Sequence, residues 1–154
     1  MEERLIPTGT VDVRSTGRFK IFDHFVKGRI YRFIKDSFWR LVPRTESGAP
    51  FRRLDAYLLT EDISIEDLRK IFEKSKNAPI PISQIHSLVS SQINVNPKGM
   101  LVENDCSNLF FCQGANRKII LLSIARQGKK GWSIFSIDYF GGKLRIRKGA
   151  KLFL

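Results

Sequence analysis

Lys143, Arg145 and Arg147 alternate with Leu144 and Ile146 near the end of the chain. Successive side chains of a strand point to opposite faces, so this spacing predicts three cations on one face and two aliphatics toward a core. Lys129 and Lys130 precede them at the tip of an expected hairpin, with Trp132 beside it. Cations with several N–H donors suit phosphate oxygens and an exposed ring suits a base, so the set has the ingredients of single-strand or RNA binding. The same alternation also fits an edge strand whose charges deter sheet-to-sheet association, with Trp132 in the core.

A second cationic group, Lys27, Arg32 and Lys35, accompanies an apolar series at Phe19, Phe22, Val26, Ile30, Phe33, Ile34 and Leu41. The steps of three, four and seven predict a basic amphipathic helix ending before Pro43. Gly28 and the many aromatic and β-branched residues allow instead two short strands meeting near Lys27 and Gly28. Such a helix could lie on phosphates, sit on an anionic membrane, or bury its aromatic face and leave its cations solvated.

Catalytic chemistry has fewer resources. His24 and His86 are the only histidines. Either, with Arg145 or Arg147, could in principle deprotonate a 2′-hydroxyl beside a held phosphate, although the spacing selects no pairing. Glu103 and Asp105 are the one candidate for metal-dependent chemistry away from the acidic helix and fit ordinary turn residues. Cys112 follows Leu109-Phe110-Phe111, which predicts a buried, unreactive thiol. With Cys106 it makes too few cysteines for a disulfide framework or a zinc site. No phosphate loop, dinucleotide glycine signature, zinc finger or RNA-motif aromatic set is present. No catalytic residue, metal ligand or cofactor is therefore assigned, and the expected nucleic-acid-binding residues are Lys129, Lys130, Trp132, Lys143, Arg145, Arg147, Lys27, Arg32 and Lys35.

Charge placement strengthens that reading. The 154 residues carry a formal charge of +12, which strains a compact state while attracting anions from a distance. Residues 14–53 hold 11 Lys or Arg against three acids, and residues 117–154 hold 10 against Asp138 alone. Two cationic blocks flank a slightly acidic middle, a pattern unlike uniform solubilising charge.

The elements that must position these groups follow from periodicity and turn signals. Residues 44–53 read as a loop and residues 56–60 as a short strand. Ser64 is a natural N-cap for a helix carrying Ile65, Leu68, Ile71 and Phe72, ended by Asn77 and Pro79. A second helix opens near Ser83. After Pro97, short apolar runs at 101–102, 109–112, 119–125, 132–137, 144–146 and 152–154 alternate with turn-prone residues. Residues 119–122 are apolar on both faces, which predicts a central strand covered by helix.

The expected fold is α+β, with helices in the first two thirds packed on a C-terminal antiparallel β-meander. One domain over 1–154 is expected, with 1–15 as a loosely ordered N-terminal arm. No run reaches the roughly 18 apolar residues of a membrane span, and acids at Glu2 and Glu3 stand where a signal peptide carries cations. A cytoplasmic, non-enzymatic domain that binds nucleic acid, RNA or a ribonucleoprotein in particular, is the leading functional reading. A protein-binding effector or inhibitor docking its basic face on an acidic partner, and a compact basic ribonuclease of the toxin type, are the alternatives.

Overall fold

The computed structural model describes residues 3–28, 30–94, 100–128, 131–138 and 143–154. In chain order these form β1 (Leu5–Val13), β2 (Phe19–Lys20), α1 (Ile21–His24), β3 (Tyr31–Ile34), α2 (Asp36–Leu41), β4 (Thr45–Glu46) and β5 (Arg52–Leu59). There follow β6 (Ile63–Ser64), α3 (Ile65–Ser75), α4 (Ile82–Asn94), β7 (Ser107–Gln113), β8 (Ile119–Arg126), β9 (Trp132–Ile137), β10 (Arg145–Ile146) and β11 (Lys151–Phe153).

Seven of the strands make one mixed sheet in the order β1, β5, β11, β7, β8, β9, β3. Alternation along its central strands feeds two separate cores. On β7, Phe110 and Cys112 face the first core and Leu109 and Phe111 the second. Ile120, Leu122 and Ile124 of β8 join the first, and Leu121 the second. β8 is thus covered on both sides, as its continuous apolar run requires.

The first face is closed by α1, α2 and α4, through Ile21, Phe25, Phe38, Ile82, Ile85 and Val89. The second is closed by α3, through Ile65, Leu68, Ile71 and Phe72, and by the small β6–β10 ribbon. The helix α3 starts where its sequence places it: the Ser64 hydroxyl accepts from the Asp67 N–H at 3.1 Å. The start of α4 is held differently, by the Glu46 carboxylate accepting from the N–H groups of Ile82 (2.9 Å) and Ser83 (2.8 Å). An anion there satisfies donors that the helix itself leaves open.

Three expectations are corrected. The sheet is not a C-terminal antiparallel meander under N-terminal helices. Although β7, β8 and β9 run antiparallel, β11 is parallel to β7 and β3 is parallel to β9, and the sheet draws β1, β3 and β5 from the N-terminal half. Strand outweighs helix, 41% against 24%, so the protein is sheet-rich with helices on both faces. Long-range pairing overrides local periodicity here, because β5 is flanked by β1 on one side and β11 on the other.

Residues 19–41 are not one helix. They break into β2, α1, β3 and α2, with the Gly28 N–H donating to the Tyr31 carbonyl at 2.9 Å in the reversal between α1 and β3. The segment 1–15, expected as an arm, contains β1, which pairs with β5 from Leu5 to Val13. No helix among the described residues is long and apolar enough to cross a membrane.

Candidate nucleic-acid interface

The break in residues 19–41 decides which aromatics reach the surface. Ile21 of α1 and Phe25, its C-cap, turn inward and are 0% and 1% exposed, which leaves Phe22 and Val26 facing out at 47% and 58%. A continuous helix would have buried Phe22 and Val26 and turned Ile21 and Phe25 to the opposite side. The Phe22 ring lies parallel to Trp39 of α2 at 5.0 Å, so the two helical turns share one half-exposed aromatic stack.

The strand β3 is the outer edge of the sheet. A bulge between Tyr31 and Phe33 sets Tyr31 opposite Trp132 and Phe33 opposite Ser133. Tyr31 is consequently buried, whereas Phe33 sits at the rim, 38% exposed. Gly131 permits this junction: its φ of 107° suits glycine, and a Cβ there would stand 3.3 Å from the Ile30 carbonyl oxygen. Beside the edge, Lys27, Phe33, Ile34, Lys35 and Asp36 line a shallow hollow.

Electrostatics separates the two sides of the sheet. Arg14, Arg18, Lys20, Lys27, Arg32, Lys35, Arg40 and Arg44, all exposed, belong to the segment that closes the first face, and none forms an ion pair among the described residues. On the α3 side several cations are matched, Arg4 with Glu61 and Asp67, Arg69 with Glu73 and Lys70 with Glu66, while Lys74, Lys143, Arg145 and Arg147 form no ion pair among the described residues. A larger cleft on that side has Glu3, Arg4, Asp55, Glu61 and Lys74 on its walls, three acids against two cations.

The sequence-predicted residues are divided accordingly. Lys27, Arg32 and Lys35 come together around β3, all exposed. Lys143, Arg145 and Arg147 are exposed around β10, which pairs with β6 on the second face. There Arg145 donates to the Asp62 carbonyl at 2.8 Å, and the Lys148 N–H donates to the Asp62 carboxylate at 2.9 Å. Leu144 is 55% exposed, so only Ile146 of the two aliphatics enters the core. With Gly149 bonded to the end of β5, this trio follows the β6–β10 ribbon on the second face, and β5 is five strands away from β3 in the sheet.

The two cationic trios therefore do not form one site. Trp132 is 1% exposed in the first core, which removes its ring from any role as a stacking surface. Lys129 and Lys130 lie outside the described residues. The residues that sequence reasoning missed are Phe22, Trp39 and Phe33 as surface groups. Their signal was Gly28 as a breaker, together with the competing inward pair Ile21 and Phe25.

The histidines, separate in sequence, are neighbours: their ring centroids are 5.3 Å apart, and Phe19 stacks on His24 at 4.2 Å. Burial, reinforced by His24, lowers His86 to about 4. Its Nδ1 meets the Tyr31 hydroxyl at 2.8 Å and its Nε2 meets the Ser90 hydroxyl at 3.3 Å. Tyr31 is buried, which raises its own pKa well above the usual value. Both ring nitrogens are therefore engaged by hydroxyl groups of the protein. Arg145 and Arg147, the suggested phosphate holders, are on β10 and just beyond it, across the sheet.

The remaining candidates are structural. Glu103 is ion-paired to Arg126. Cys112 is fully buried, and burial pushes its thiol up. No group of three or more potential metal-ligating side chains gathers among the described residues. Comparison with protein-family models, with curated proteins and with solved structures finds no match for the chain.

Proposed function

We propose that this is a small basic nucleic-acid-binding protein, acting by binding rather than by cleavage, whose interface is the cationic surface of residues 14–44 around α1, β3 and α2. One observation carries the reading: eight exposed cations of this one segment lack ion pairs among the described residues, whereas Arg4, Arg69 and Lys70 beside α3 are matched by acids and only Lys74 of that helix is not. A dense group of unmatched guanidinium and ammonium groups is what phosphate neutralisation uses, because binding there releases counterions from the nucleic acid. Binding is favoured over cleavage because Arg145 and Arg147, the cations considered as phosphate holders, lie on the opposite face of the sheet from the neighbouring His24 and His86.

The test is the salt dependence of RNA binding by the whole protein. With about four phosphates neutralised, affinity should fall roughly a hundredfold between about 50 and about 200 mM salt. Binding that ignores salt, or no binding to RNA or DNA at low salt, contradicts the proposal.

A further inference from the structure

We infer that the hollow at the β3 edge receives one unpaired base of a single-stranded nucleic acid, stacked on Phe33, with the flanking phosphates on Lys27 and Lys35. The inference rests on the proposed nucleic-acid binding and names its ligand class.

The hollow combines an exposed ring with charges of both signs. Phe33 is 38% exposed, Lys27 and Lys35 share the wall, and Asp36 lies on the same rim. Neither lysine forms an ion pair among the described residues, so both ammonium groups remain available to anions. A phosphate alone would be repelled by Asp36 and would gain nothing from the phenyl face. A base fits both: every base has a π-face for Phe33, and an exocyclic amino or ring N–H can donate to the Asp36 carboxylate. The sugar-phosphate chain on either side then brings negative charge to the lysines.

Duplexes bury their base faces in the stack, so only unpaired strands can use the ring. The parallel Phe22–Trp39 stack, also half exposed, offers a second flat surface in the same basic segment. An anionic membrane is disfavoured as the occupant, because Asp36 beside the ring would be driven against a negative headgroup layer.

Fluorescence anisotropy decides the matter, using a labelled 12-mer single-stranded RNA, its perfect duplex, and vesicles of phosphatidylcholine with phosphatidylserine. The single strand is expected to bind at least about tenfold more tightly than the duplex. Phe33→Ala should weaken the single strand about tenfold, leave the duplex unchanged and leave the salt slope unchanged. Phe33→Leu keeps an apolar side chain but no π-face and should behave like Phe33→Ala; circular dichroism melting confirms that both are folded. Equal affinity for single strand and duplex, with both variants neutral, overturns the stacking site and leaves the proposed function standing. Vesicle binding without nucleic-acid binding overturns both.

Discussion

The two faces of the sheet are built to different rules. On the α3 face a helix of eleven residues has a side-chain N-cap, a clean inward stripe and i,i+4 ion pairs between Arg69 and Glu73 and between Lys70 and Glu66. On the opposite face, beside α4, α1 and α2 span four and six residues, start without side-chain caps, and leave Phe22, Val26 and Phe33 exposed among unmatched cations. Local rules for stability agree with one another on the first of these and conflict on the second. Such conflict is expected where a surface serves a ligand as well as the fold.

The two faces differ at their surfaces and not in their cores, which gives the largest expected effect. Phe25→Ala beneath α1 and Leu68→Ala beneath α3 should each cost about 3–4 kcal/mol in urea denaturation, since both side chains are fully buried. A loss below about 1 kcal/mol at either position would show that face to be a loose cover.

A smaller effect should single out the basic side by pH. His86 is held near 4 in the fold, against about 6.5 for a free histidine. Between those values the unfolded chain binds more protons, so stability is complete above about pH 6.5 and is lost as the pH falls toward 4. The loss should approach about 2 kcal/mol after allowance for the ring's partial exposure. His86→Gln should flatten the profile over that window, and parallel profiles for the two proteins would contradict the assignment.

Helix caps give the smallest contrast. Ser64→Ala should cost about 1 kcal/mol, because it strands the Asp67 N–H. Lys35→Ala, at the start of α2 where no side-chain cap exists, should change stability by less than about 0.5 kcal/mol and yet weaken RNA binding. Thermal melts of the two variants check the first half of this contrast and anisotropy checks the second.

How much of this was legible in the sequence depends on the range of the interaction. The cap at Ser64, the stripe of α3, the second helix from near Ser83 and the doubly covered strand at 119–122 are local or compositional signals, and the structure has each of them. The parallel pairs β11 with β7 and β3 with β9 join residues far apart in the chain, and nothing local encodes them. The segment 1–13 contains Pro7, Gly9 and two threonines and lacks a strong apolar run, yet β5 recruits it into the sheet.

At the candidate site, the sequence marked Lys27, Arg32 and Lys35 but reversed the aromatic face. The apolar positions from Phe19 to Leu41 fit one helical stripe only while Gly28 is read as tolerated; once the chain turns there, Phe22, Val26 and Phe33 point outward. Trp132 was misplaced for a related reason, since a tryptophan next to a lysine-rich turn looks exposed until the pairing of β9 with β3 and β8 buries it.

Two charge-matched variants test the central claim most directly. Lys27→Glu/Arg32→Glu/Lys35→Glu and Lys143→Glu/Arg145→Glu/Arg147→Glu alter the net charge equally, on sites that belong to opposite faces of the sheet. The slope of log affinity for single-stranded RNA against log salt, measured for both and for the parent protein, should drop by about 2 for the first, near 0.7 for each phosphate of a single strand that is no longer neutralised. It should drop by less than about 0.7 for the second. Equal drops, or a larger drop for the second, would contradict an interface at the β3 edge.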